Sequence, residues 1–263
     1  MLGTMYNSGR GVQQDYKAAV KWYALAAGQR HAEAQYDLGV MYAVGQGVPQ
    51  DYKTAVKWST LAAKQGHADA QFMLGVMYRS GQGVPQDQKT AVKWYTLAAE
   101  QGHADAQNML GSMYGDGQGV PQDHKTAVKW YALAAGQGHA DAQNNLGAMY
   151  YSGRGVPQDY KAAVKWHTLA AEQGHATAQT NLGYLYAAGR GVTQDYVYAH
   201  NCPQFSSNGC RWQLSLGQSH RPSYISKRFL IERHIPIQPR STGDSFCPSS
   251  CLTNHYRPSH HPN

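Results

Sequence analysis

Residues 104–139 read ADAQNMLGSMYGDGQGVPQDHKTAVKWYALAAGQGH, and most of the 263-residue chain consists of close copies of this unit. Trp22, Trp58, Trp94, Trp130 and Trp166 recur every 36 residues, and Gly3, Gly39, Gly75, Gly111, Gly147 and Gly183 keep the same step without one insertion. A fixed period of this length is the mark of identical structural units stacked along an axis.

Each unit reads as two helices. In the first, Ala106, Leu110, Met113 and Tyr114 fall at i, i+4, i+7 and i+8, one face of an amphipathic helix. Asp105 sits in its first turn, where the helix dipole favours an anion. The run Gly115-Asp116-Gly117-Gln118-Gly119 ends it, because glycine adopts the left-handed angles of a helix terminus at little cost. Pro121 bars continuation, and Asp123 is placed to cap a second helix. That helix carries Ala127, Trp130, Tyr131, Ala134 and Ala135 at helical spacing, and Gly136 and Gly138 close it. Small residues (Ala106, Gly111, Ala127, Ala134, Ala135) let backbones approach, and Trp130, Tyr131 and Tyr114 are expected to fill the space between layers. One hairpin cannot bury those aromatics alone, so neighbours must cover them. The fold class is therefore all-α: a solenoid of 36-residue helix–turn–helix units.

The pattern A-x-A-Q-x-x-L-G-x-M-Y-x-x-G-x-G-V-P-Q-D-Y-x-x-A-V-K-W-Y-x-L-A-A-x-Q-G-H resembles the Sel1-like repeat, a relative of the tetratricopeptide repeat. It covers residues 1–199: four whole units (32–67, 68–103, 104–139 and 140–175) and a partial one at each side. The resemblance implies a right-handed α-solenoid and a non-enzymatic adaptor that assembles other proteins, often in bacterial envelope or signalling systems. It also implies an alternative, since a cysteine-rich branch of the family is associated with β-lactam binding and hydrolysis. The distinguishing feature of that branch is a disulfide within each repeat, and residues 1–199 contain no cysteine.

Charge and cysteine divide the chain in two. Residues 1–199 hold 16 Lys+Arg against 14 Asp+Glu, whereas residues 200–263 hold 7 against 2. The basic balance thus belongs to the tail and argues against nucleic acid as the partner of the repeats. No apolar run approaches the roughly 18 residues of a membrane span. No signal peptide is visible at Met1, but Met1–Tyr6 aligns with Met109–Tyr114 in mid-repeat, so an export signal upstream is compatible with the sequence. The compartment is left open.

Columns of chemistry-bearing residues have to be weighed against the stacking. His31, His67, His103, His139 and His175 recur at the 36-residue step. Stacked helices lie roughly 8–10 Å apart, too far for side chains on successive units to share one zinc at about 2 Å, so these histidines are expected to serve helix entry. Asp15, Asp51, Asp87, Asp123, Asp159 and Asp195 are expected to be caps, by the same spacing argument. Gly81-Gln82-Gly83 and its equivalents precede a helix, but a phosphate-binding loop needs a preceding strand. No catalytic, cofactor or metal constellation is assigned in the repeats. The lysine pairs 17/21, 53/57, 89/93, 125/129 and 161/165 form an i, i+4 stripe that reads as a solvated outer face.

Variation between copies points to a binding surface, since positions fixed by stacking repeat and free ones drift. On the first helix the variable columns are Tyr36/Phe72/Asn108/Asn144/Thr180, Val40/Val76/Ser112/Ala148/Tyr184 and Ala43/Arg79/Gly115/Tyr151/Ala187. Their spacing of i, i+4, i+7 puts them on one face. In solenoids of the resembled type this helix lines the concave, binding surface. Tyr36, Phe72, Arg79, Tyr151 and Tyr184 are accordingly the expected anchors for a protein or peptide partner.

The sixth copy breaks off after Tyr196, with Cys202 in the tryptophan column. Residues 200–263 read as an irregular, basic tail without helical periodicity. Cys247, Cys251, His255 and His260 give C-x3-C-x3-H-x4-H, a spacing that matches no common zinc finger. A reading-frame shift in the gene would produce such a switch from patterned to patternless sequence.

Overall fold

The computed structural model describes residues 2–201; the expectations for Cys247, Cys251, His255, His260 and the rest of the tail lie outside them. The first helices of successive units are α1 (Leu2–Ser8), α3 (Ala32–Val44), α5 (Ala68–Ser80), α7 (Ala104–Asp116), α9 (Ala140–Ser152) and α11 (Ala176–Ala188). They alternate with the second helices α2 (Tyr16–Gly28), α4 (Tyr52–Lys64), α6 (Gln88–Glu100), α8 (His124–Gly136), α10 (Tyr160–Glu172) and α12 (Tyr196–Asn201). Each helix packs against its predecessor and its successor, so the chain is the α-solenoid that the period predicts. No strand occurs among the described residues. None of their helices is long and apolar enough to cross a membrane.

The ends of the helices are fixed by the expected columns. Asp51, Asp87 and Asp123 cap the second helices, and Thr54, Thr90 and Thr126 each add a hydroxyl donated to the capping carboxylate at 2.6 Å. The histidines cap the first helices: Nδ1 of His31, His67, His103, His139 and His175 accepts the backbone N–H three residues on, at 3.1–3.3 Å. That leaves Nε2 to carry the proton, and it reaches back one unit. His67 meets Glu33 at 2.9 Å, His139 meets Asp105 at 3.0 Å, and His175 meets Asp141 at 2.9 Å. One ring nitrogen thus caps its own helix, and the other ties that helix to the preceding first helix.

The loop glycines have two different jobs. Gly81 ends α5 in the left-handed conformation, φ 76°, where its N–H reaches the Met77 carbonyl. Gly83 instead touches the preceding unit: a Cβ there would fall 2.4 Å from the Tyr52 carbonyl oxygen. The same approach recurs at Gly47, Gly119, Gly155 and Gly191. A side chain at this column would push neighbouring hairpins apart.

The core repeats with the period. Ala91, Tyr95, Ala98 and Ala99 from one unit bury against Ala106, Leu110 and Met113 of the next. Within it, buried Gln71 donates to the Ala63 carbonyl of the preceding unit at 3.1 Å, and accepts from Gln101 at 2.6 Å. Gln107 repeats the arrangement with Ala99 and Gln137, and Gln143 with Ala135 and Gln173. These glutamines add a side-chain hydrogen bond to carbonyls that already accept from the backbone N–H of Gly66, Gly102 and Gly138, and so tie the end of one unit to the next. The structure differs from the sequence reading in which aromatic fills the layer. Tyr23, Tyr95 and Tyr131 are buried, whereas Trp58, Trp94, Trp130 and Trp166 are half-buried, each lying over the edge of a preceding cluster. Adjacent residues on a helix point about 100° apart, and the crossing angle brings the tyrosine inward.

Candidate functional site

The variable columns of the first helices form the candidate surface. Tyr36 is half-buried, its ring stacked on His67 at 4.8 Å and 24°. Phe72 repeats this on His103, at 4.6 Å and 22°, and leans on Tyr95. Both rings therefore serve the joint between units and present only part of their surface. Arg79 is exposed in the last turn of α5, where its carbonyl accepts from the Gln86 side chain at 2.8 Å. Tyr151 is half-buried near the end of α9, and Tyr184 is 54% exposed on α11.

Of these five, the structure brings together Tyr151 and Tyr184, whose rings meet edge to face at 6.2 Å. Two residues that the sequence reading did not single out complete the cluster. Tyr160, the first residue of α10, lies 5.5 Å from Tyr151. Arg190, in the loop after α11, donates to the Tyr151 hydroxyl at 2.6 Å. Its guanidinium sits 5.7, 5.4 and 5.8 Å from the ring centroids of Tyr151, Tyr160 and Tyr184. A cation over aromatic faces is held by the ring quadrupoles, so Arg190 fixes three rings from two successive units. The cluster is aromatic, and Tyr184 leaves part of it accessible.

Behind Tyr151 and Tyr184 lies a pocket of about 130 Å³, lined also by Ala148, His167, Asn181 and Leu185. His167 is 2% exposed, and its Nδ1 has no hydrogen-bond partner among the described residues. Burial, with a smaller push from His175, drives its pKa down to about 4, so the ring is neutral. Asn181 donates to Asn144 of the preceding first helix at 3.1 Å. Part of the signal for this pocket was present in the sequence: the column Tyr23, Ser59, Tyr95, Tyr131, His167 departs from tyrosine at Ser59 and at His167.

Comparison with known proteins follows the same units. The Sel1 repeat model matches residues 1–31, 32–67, 68–103, 104–139, 140–175 and 176–202. A protective antigen present in uropathogenic Escherichia coli strains is 41% identical with a TM-score of 0.74, over 76% of this chain and 43% of that one. The chain thus spans less than half the length of that relative. A Sel1 repeat protein from Oxalobacter formigenes is 40% identical with a TM-score of 0.70, over 75% of this chain and 81% of that one. No curated protein sequence matched.

Proposed function

Because the chain belongs to the Sel1 repeat family, whose members are commonly protein-interaction scaffolds, we propose that it is a non-enzymatic scaffold holding a protein or peptide partner on its first-helix face. One observation carries this reading. The capping and core columns repeat from copy to copy with few exceptions, while two departures on successive first helices, Tyr151 and Tyr184, meet under Arg190 in a cluster that spans two units. A segment lying along the solenoid would meet that cluster and, further along, Arg79 and the free edges of Phe72 and Tyr36. Large rings held in place lose little entropy when a partner docks, so they suit the centre of an interface.

The test is capture of native partners by the intact chain and by two variants. Replacing Arg79, Tyr151 and Tyr184 with alanine is expected to weaken capture at least tenfold while the helical circular dichroism spectrum stays the same. Turning Lys57, Lys93 and Lys129 to Glu on the exposed second-helix stripe is expected to change it less. The reverse ranking places the working surface on the lysine stripe and overturns the reading.

A further inference from the structure

We propose that the pocket at His167 is a socket for one phenolic side chain, a tyrosine of the bound partner. The proposal rests on the first-helix face being the partner surface, and names what that face reads.

The argument begins with the column to which His167 belongs. The ring of Tyr131 lies against Gly111 along its Cδ1–Cε1 edge, and that of Tyr23 against Gly3 in the same way. His167 lays its Nδ1–Cε1 edge on Gly147, so its ring occupies the inner part of the same site. The phenol of Tyr23 continues outward until its hydroxyl meets Thr4 at 3.5 Å, with Asp37 and Asn7 beside it. One 36-residue step at a time, Thr4 corresponds to Ala148, Asn7 to Tyr151 and Asp37 to Asn181. Those three residues line the pocket around His167. The cavity therefore includes the space that the outer part of a tyrosine fills elsewhere in this chain.

Ser59 shows that a shortened column residue does not by itself open a pocket. There the facing residue is Met73, whose Sδ receives the Ser59 hydroxyl at 3.4 Å. At the position of Met73, the unit facing His167 has Asn181, which is shorter and tied to Asn144. The volume is left open beside Asn181, and Tyr151 and Tyr184 of the first-helix face form part of its wall.

Size and polarity select the occupant. A cavity of about 150 Å³ holds a benzene ring, so about 130 Å³ with an open side is on the scale of one aromatic ring. Two tyrosine rings, the Ala148 methyl and Leu185 supply apolar walls. The Asn181 amide, beside the neutral ring of His167, supplies a hydrogen-bonding group for a hydroxyl, since it can donate or accept. A carboxylate is a poorer fit, because Arg190 is outside the lining and already donates to Tyr151.

The experiment uses p-cresol as the probe and the intact chain, with the methyl resonances of Ala148 and Leu185 as readout. Saturable shifts with p-cresol, at least fivefold weaker binding of toluene, and no shift with acetate are expected. His167→Tyr restores the phenol from within and should abolish the p-cresol shifts. Should that variant lose its helical spectrum, Ala148→Val, which places the residue of Val40 and Val76 in the pocket wall, serves with Leu185 as the reporter. Unchanged p-cresol shifts in the folded variant, equal toluene binding, acetate shifts matching those of p-cresol, or absence of saturation each overturn the socket. None of these outcomes touches the scaffold reading, which stands or falls on the Arg79, Tyr151 and Tyr184 variant.

Discussion

The Cδ1–Cε1 side of the Tyr95 ring lies against Gly75, so close that a Cβ on the glycine would fall 2.5 Å from both atoms. The two residues belong to the two helices of one hairpin, α5 and α6. Gly111 with Tyr131 repeats the contact. In these units the bare backbone of the glycine lets the two helices of the hairpin close on the tyrosine ring.

Gly75→Ala is therefore expected to destabilise the chain by about 1–3 kcal/mol, the usual cost of overpacking. Gly136→Ala should do the opposite, because a Cβ there meets nothing and the φ is not positive; stabilisation of about 0.5–1 kcal/mol is expected. Urea denaturation of both variants checks the signs, and two effects of the same sign count against the contact.

Burial orders the neighbours Lys93, Trp94 and Tyr95, which are exposed, half-buried and buried. Tyr95→Ala should cost about 3–5 kcal/mol, Trp94→Ala about half as much, and Lys93→Ala no more than about 0.5 kcal/mol. Tyr95→Phe should be neutral or stabilising, because the hydroxyl is buried without a partner and its pKa is pushed up to about 12. Denaturation midpoints for the four variants test the order.

The capping carboxylate of Asp87 is held below the usual carboxylate range, first by the Thr90 hydroxyl and then by the Thr90 backbone N–H. Because the folded value lies below the unfolded one, the cap's contribution is present above the ordinary carboxylate pKa and is lost as pH falls through the folded one. Thr90→Val should raise the Asp87 pKa toward 3.8, read by carboxyl chemical shifts. No movement would mean that the hydroxyl does not hold the charge.

His167 gives the fold a second pH dependence of known sign. Its pKa falls from 6.5 to about 4 on folding, so the unfolded chain binds the proton first and stability declines as pH drops from about 6.5 toward 4. The loss for this one group is on the order of 3 kcal/mol. His167→Tyr should remove that component, so the difference between variant and parent widens in acid. Parallel stability curves between pH 7 and 4 would contradict the burial assigned to the ring.

The repeat unit, its two helices and their caps were legible because each depends on local chemistry. Asp123 before a helical run, Gly117 after one and Pro121 between them act over a few residues, and an unbroken period then forces identical neighbours. The candidate site was legible in part. Tyr151 and Tyr184 stood out as departures in their columns, but Arg190 lies 39 residues from Tyr151 and drew no attention in its own loop.

Sequence by itself determined the class of fold, the number of units and the face on which the copies differ, since these follow from periodicity and from side chains acting on adjacent backbone. Tertiary structure alone decided that Tyr95 and not Trp94 enters the core, that the invariant glutamines bridge units, and that His67 reaches Glu33. It also decided that His167 leaves room beside Asn181 where Ser59 leaves none beside Met73. Each of these turns on how two helices cross and on the volume that meets across the crossing. A crossing angle is set by all the side chains packed between the helices at once, so no single stretch of sequence displays it.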